Sequence, residues 1–193
     1  MGYILDYLKC DSVFEIIAQS IGVLALIVDV ISYQMKSRNT IVTLQIFSCL
    51  LFSVHFFMLK AFTGAVFNVI ACFRAFVFAN KDKKWGQNKL WVPFFCVVCI
   101  AAVGFTWTGF ICLLPMIGMI FTTFSTSVSS AKKVRFLAFP SSPLWIVYNF
   151  INRSYAGIVT ETIVMISIIS AIIRLDILGG KHHKIKNGAG GGN

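Results

Sequence analysis

The stretch SCLLFSVHFFMLKAFTGAVFNVI, Ser48–Ile70, returns 93 residues later as SSPLWIVYNFINRSYAGIVTETI, Ser141–Ile163. Identical residues align at Ser48/Ser141, Leu51/Leu144, Val54/Val147, Phe57/Phe150, Gly64/Gly157, Val66/Val159 and Ile70/Ile163. Between them the substitutions are conservative in size or chemistry: Phe52 opposite Trp145, His55 opposite Tyr148, Lys60 opposite Arg153, Phe62 opposite Tyr155. A weaker echo precedes it at a spacing of 96, with Ile21-Gly22 on Ile117-Gly118 and Lys36 on Lys132. The chain thus reads as two related halves.

Composition says what kind of halves. Of 193 residues 58% are hydrophobic and 12% charged, with a mean hydropathy of +0.82. A soluble domain runs at roughly 45–50% apolar and about 25% charged. Apolar windows of about 17–22 residues, hydrophobic all round the helical wheel, match the length a bilayer requires. We therefore expect an all-α membrane protein with seven spans, at 14–35, 41–59, 62–80, 91–107, 109–131, 136–151 and 155–174. The opening segment MGYILDYLKCDS lacks a basic stretch and a small-residue cleavage site, so the first apolar run is expected to insert and stay. Asp6, where Ser or Thr would be wanted, argues against myristoylation.

Three spans is an odd number. Two fused copies point the same way only if an extra span separates them, and the fourth span, framed by Trp91 and Trp107, has no partner in the repeat. The expected organisation is 3+1+3 with parallel halves: an external segment 1–12, a first repeat 13–80, a basic loop and linker helix 81–108, a second repeat 109–178, and a Gly-rich, basic, disordered tail 179–193. With alternating spans, Lys9, Lys60 and Arg153 lie on one side. The other carries thirteen cations, among them Lys36, the Lys81–Lys89 cluster, Lys132, Lys133 and Arg135. The positive-inside rule puts that second side in the cytoplasm and the N-terminus outside. Basic loops on anionic lipid account for the net charge of +10 without a nucleic-acid partner.

The arrangement resembles the SWEET sugar transporters, whose half-size relatives are three-helix bundles of the PQ-loop type; Ser141–Ile163, with its LW-x-x-Y run, is similar to their second and third helices. The whole chain resembles the YgjV-type bacterial inner-membrane proteins. That likeness is carried by ISYQMKSRN (Ile31–Asn39), the F-x-x-H-F run (Phe52–Phe56), Gly64, Asn68 and Arg74. The resemblances imply an inner-membrane location, adjacent first and third helices in each half, and a pocket lined by third-helix asparagines and second-helix aromatics, matched in position by Asn68 and Trp145. One departure stands out. Where PQ-loop proteins have Pro-Gln, this chain has Tyr33-Gln34 and Ser129-Ser130, so the proline that would let the helix bend is missing.

Ionisable residues in hydrocarbon are costly, and Asp29, Arg74 and Glu161 are singled out on that ground. Asp29 and Arg74 are each seven residues from a basic helix end, roughly 10 Å deep, and are expected to form an ion pair, either as an inner gate or as a fixed strut. Asn68 and Glu161 are repeat partners at equal depth, joined there by Phe52 and Trp145. Flat apolar faces with a few hydrogen-bonding groups suit a small polar solute. Glu161 would carry a proton or meet a cationic substrate; otherwise it is a hydrogen-bonded structural group. His55 and Tyr148 form a polar outer ring, a gate or a structural clasp. Cys96-Val-Val-Cys99 lies inside a span and reads as packing, and His182-His183 lack a third ligand.

No catalytic constellation, metal site or cofactor fingerprint is found, so no enzyme is expected. The leading reading is a carrier of a small polar solute, sugar-like or another metabolite, with a proton as candidate coupling ion. The alternative is a non-transporting structural or regulatory membrane protein with the same fold. The partners expected are the bilayer and the solute, with homo-oligomerisation left open.

Overall fold

The computed structural model describes residues 13–32, 35, 38–80, 82–128 and 130–178. Their regular structure is all helical, joined by turns and short loops: α1 (Val13–Ser32), α2 (Arg38–Met58), α3 (Phe62–Ala79), α4 (Trp91–Phe105), α5 (Leu113–Ser127, entered through a 3-10 turn at Phe110–Cys112), α6 (Ala131–Ala138), α7 (Ser141–Ile151) and α8 (Tyr155–Ala171, ending in a π-helical turn, Ile172–Leu178). The expected segments 1–12 and 179–193, with His182-His183, and the positions Tyr33, Gln34 and Ser129 lie outside the described residues.

Four stretches are long and apolar enough to cross a bilayer: Val13–Ser32, Phe62–Ala79, Phe110–Ser127 and Tyr155–Arg174. Val42–Met58 and Trp91–Phe105 are shorter apolar helices. The sixth expected span, 136–151, is not one helix. It is divided at Phe139-Pro140 into α6 and α7. Pro140 and Pro143 each lack the N–H that would continue the ladder, which leaves α7 with 11 residues, about 16 Å of rise. That is well short of the roughly 30 Å hydrocarbon core.

Burial is inverted relative to a water-soluble protein. On α1 the apolar side chains Val13, Phe14, Ile16, Ile17, Val23 and Leu24 are exposed. The buried residues of the same helix are Ala18, Gly22, Ala25 and Ser32. Ser48, His55, Thr63, Ser142, Asn149 and Ser154 are also buried. Small residues inward and bulky apolar residues outward is the pattern expected when lipid is the solvent and helices associate by close packing and interhelical hydrogen bonds. Ser48 illustrates both: its hydroxyl donates to the Ala25 carbonyl at 2.8 Å, which requires α2 to press closely on α1.

In the first half α2 packs along both α1 and α3; in the second, α7 packs along both α5 and α8. The middle helix therefore separates the outer two, which corrects the expectation of adjacent first and third helices. The halves meet through α1 with α8 and α3 with α5, and α4 leans on α3 and α5. Two apolar cores result. One, around Phe67, Val77, Phe95, Cys99 and Met119, binds α4 to its neighbours. The other, around Ala25, Phe52, Phe56, Tyr148 and Ala156, lies between the halves. Cys99 is buried in the first and both Cys96 and Cys99 are free thiols.

The repeat has a backbone counterpart. Among non-glycine residues described, positive φ occurs at Lys60 (60°) and Arg153 (53°), which are repeat partners. Each ends a helix in the same way. Lys60 N–H donates to Phe57 O and Ala61 N–H to Phe56 O; Arg153 N–H donates to Phe150 O and Ser154 N–H to Asn149 O. This is the Schellman closure, a left-handed residue that satisfies the last carbonyls of the helix. We call the end of the bundle that carries these two turns the turn end, and the opposite end, with 82–90 and α6, the loop end.

Candidate functional site

The hairpin α2–α3 carries Phe52, His55, Phe56 and Asn68; the hairpin α7–α8 carries their partners Trp145, Tyr148, Asn149 and Glu161. The matching turns hold the two sets at corresponding heights. At the turn end the halves are fastened to each other. His55, fully buried, donates from Nδ1 to the Ala18 carbonyl at 2.7 Å, which leaves Nε2 to accept from the Ser154 hydroxyl at 2.8 Å. Its partner Tyr148 reaches the other way: Gly64 N–H donates to the Tyr148 hydroxyl at 2.7 Å, and that hydroxyl donates to Ala61 O at 3.4 Å. Gly64 is in the first turn of α3, where backbone donors have no intrahelical acceptor, so Tyr148 caps a helix of the opposite half. Ser154 and Ala61 are themselves repeat partners. The contact is thus reciprocal, as in an isologous interface. Gln19 adds a bond from Nε2 to Arg153 O at 2.6 Å.

Close approach is what makes the clasp possible. A Cβ on Gly22 would lie 2.7 Å from His55 Nδ1, and one on Gly64 would lie 2.9 Å from Tyr148 Cε1.

Below the clasp lie two cavities. The smaller, about 70 Å³, is bounded by Phe52, Phe56, Asn149, Gly157 and Thr160. The larger, about 200 Å³, extends toward the loop end past Ala71, Arg74, Thr122, Ser141 and Ser142. Asn68, Trp145 and Glu161 border both. The four residues singled out in the sequence as a solute-binding set are therefore gathered around one space: Phe52 on the upper cavity, the other three where the cavities meet. Trp145 is fixed by rings and by backbone. It stands 6.3 Å from Phe56 and 5.7 Å, edge-on, from Tyr148, and it crosses α5 at Gly118, where a Cβ would be 2.9 Å from its Cδ1. Asn68 donates to Gly64 O at 2.9 Å. The Glu161 carboxyl group has the Ser142 side chain as its polar partner and Asp29 within electrostatic reach.

Two expectations fail here. Arg74 does not pair with Asp29. Its Nη1 donates to Met119 O at 3.2 Å, to Thr122 Oγ1, and to Thr123 Oγ1 at 3.2 Å, all on α5. The reason is the helix order: α2 stands between α1 and α3, and Arg74 faces away from α1 toward the second half. Asp29 lies instead within electrostatic reach of Glu161 on α8. Nor do His55 and Tyr148 form an open outer ring; both are buried and both are bonded across the halves.

Three participants escaped the sequence reading. Asn149, 1% exposed, borders the smaller cavity, and its Oδ1 has no hydrogen-bond partner. Ser142 meets Glu161, and Ser154 completes the clasp. Asn149 was legible in principle, since it replaces Phe56 at a repeat position in mid-span. Among the described residues no three His, Cys, Asp or Glu side chains gather as a metal site.

Compared with known proteins, the chain matches no curated protein and no solved structure. Residues 16–177, most of the chain and all eight helices but the first turn of α1 and the last residue of the π-helical end, match the family model Imp-YgjV, described as bacterial inner membrane protein, and the chain belongs to that family.

Proposed function

We propose that this inner-membrane protein is a carrier of a small polar solute and performs no chemistry on it. Its halves would be two parallel three-helix repeats joined by α4, with a pseudo-two-fold axis running through the clasp, the N-terminus outside and the basic loop end in the cytoplasm. The observation that carries the reading is the pair of cavities between the halves, meeting at Asn68, Trp145 and Glu161. A site at a repeat interface, near mid-depth, is where parallel-repeat transporters bind. The reciprocal bonds of His55 and Tyr148 support it further: the clasp closes the turn end over a site that widens toward the loop end, as one state of an alternating-access cycle would. The orientation rests on the charge asymmetry of the loops.

The fully buried clasp also suits the second reading, a non-transporting structural or regulatory member, in which those bonds stay closed. Proteoliposome flux separates the two. A carrier moves at least one solute of a metabolite panel, and Glu161→Gln changes its rate or its dependence on a proton gradient. Absence of flux for every solute, with Glu161→Gln folding like the wild type, would leave the structural reading.

A further inference from the structure

We infer that the larger cavity takes a small zwitterion of the amino-acid class, its carboxylate on Arg74 and its ammonium group on Glu161. The inference deepens the carrier reading and rests on it for calling the cavity a substrate site.

Arg74 and Glu161 border the same space of about 200 Å³. They come from opposite halves, and neither is neutralised by the other: Arg74 is held by α5 backbone and hydroxyl groups, Glu161 by Ser142. Among the described residues the hydrogen bonds of the guanidinium all come from Nη1. Its Nε and Nη2 have no hydrogen-bond partner there, and neither is a fully buried atom. They remain as donors in the planar arrangement that receives a carboxylate. The threonine and carbonyl acceptors on Nη1 orient the group without cancelling its charge.

The other end carries a carboxyl group. Glu161 has Asp29 of α1 within electrostatic reach, and no cation among the described residues bonds to it. An ionisable group at membrane depth is expensive unless it finds a partner, and here a guanidinium and a carboxyl group border one cavity without bonding to each other. A neutral sugar would satisfy neither. An anion would be repelled by Glu161, a cation by Arg74. A molecule carrying both charges completes both.

Size and placement agree. At about 30 Å³ per liquid water the cavity holds roughly six or seven, the bulk of a solute with about that many non-hydrogen atoms. The two groups come from opposite halves and border the same cavity, so a molecule with a charge at each end reaches both walls. Ser141 and Ser142 line the wall between them, and the Trp145 ring closes the side.

Binding by calorimetry to the purified full chain tests this without requiring flux. The probes are glycine, L-alanine and L-serine, set against propionate, isopropylamine and glycerol, which remove the ammonium, the carboxylate or both. The zwitterions should bind about tenfold to a hundredfold more tightly than any of the three controls, the value of one charged hydrogen-bonded contact. Arg74→Gln and Glu161→Gln should each remove that preference, and Arg74→Lys, which keeps the charge, should retain part of it. Thermal unfolding of each variant shows that it is folded. Glycerol or propionate binding as tightly as alanine, alanine affinity unchanged in both Gln variants, or no binding of any zwitterion probe overturns the inference. Zwitterion binding without flux would refute the carrier reading alone; flux of an uncharged solute with no zwitterion binding would refute this one alone.

Discussion

The hairpins α2–α3 and α7–α8 share a backbone and divide the labour. Both end their first helix with a left-handed residue, at Lys60 and Arg153, and both make the same pair of closing bonds. Both send one ring across the molecule. But His55 donates to one partner, Ala18 O, and accepts from another, the Ser154 hydroxyl, whereas Tyr148 reaches the backbone of a single turn, at Gly64 and Ala61. Further down, Phe56 and Asn68 of the first hairpin face Asn149 and Glu161 of the second. The difference teaches that two hairpins with matching turns need not carry matching chemistry: polarity is concentrated in the second. Arg74 reverses the bias: its repeat partner Ser167 is exposed, so the cation stands in the first half and the carboxylate in the second.

The largest effect is expected where the first hairpin meets α1. Gly22→Val puts side-chain atoms where His55 now lies, since even a Cβ would be 2.7 Å from Nδ1. Overpacking and the loss of both His55 bonds should cost about 3–5 kcal/mol, measured as thermal or chemical unfolding in detergent. A variant of wild-type stability would mean that α1 and α2 are not pressed together as described.

The two rings of the clasp should differ when removed. His55→Ala leaves a cavity, an unpaired Ala18 carbonyl and an unpaired Ser154 hydroxyl, and should cost about 2–3 kcal/mol. Tyr148→Phe keeps the ring and loses only the hydroxyl that caps Gly64, about 1 kcal/mol, in line with the modest value of single hydrogen bonds inside membranes. Equal losses would show that the halves are held more symmetrically than their chemistry suggests.

The smallest effect lies in the backbone. Lys60→Gly and Arg153→Gly each relieve a left-handed conformation that costs an L-residue about 1–2 kcal/mol, and after the extra unfolded-chain freedom that glycine brings, about 0.4–1 kcal/mol, each should stabilise by about 0.5–1 kcal/mol. A smaller gain at Arg153 would measure what its side chain contributes. Destabilisation at both positions would overturn the claim that the turns are strained alike.

The bilayer setting, the helical character and the similarity of the two hairpins were legible in the sequence because each is a local or periodic property: hydropathy over a window, and identity at a constant spacing. The level of Phe52, Asn68, Trp145 and Glu161 was legible for the same reason, since depth along a helix is counted in residues. The broken sixth span could have been read from Pro140 and Pro143, which forbid ladder bonds wherever they stand; the apolar run around them masked it. The partners of Arg74 and Asp29 could not be read. Both depths were assigned, but depth does not say toward which neighbour a side chain turns, and the order of helices within a half reversed the expected pairing.

By itself, then, the sequence determined that this chain enters a membrane, that two of its stretches match at a spacing of 93, and how far along its helices its polar groups lie. Those follow from transfer energies and helical rise, which act residue by residue. Only the tertiary structure decided that α2 and α7 stand in the middle of their halves, that His55 and Tyr148 fasten the halves reciprocally, and that Arg74 and Glu161 border one cavity without meeting. Contacts between a residue of one copy and a residue of the other depend on how two bundles dock, and a constant spacing of 93 relates equivalent positions without saying which inequivalent ones touch.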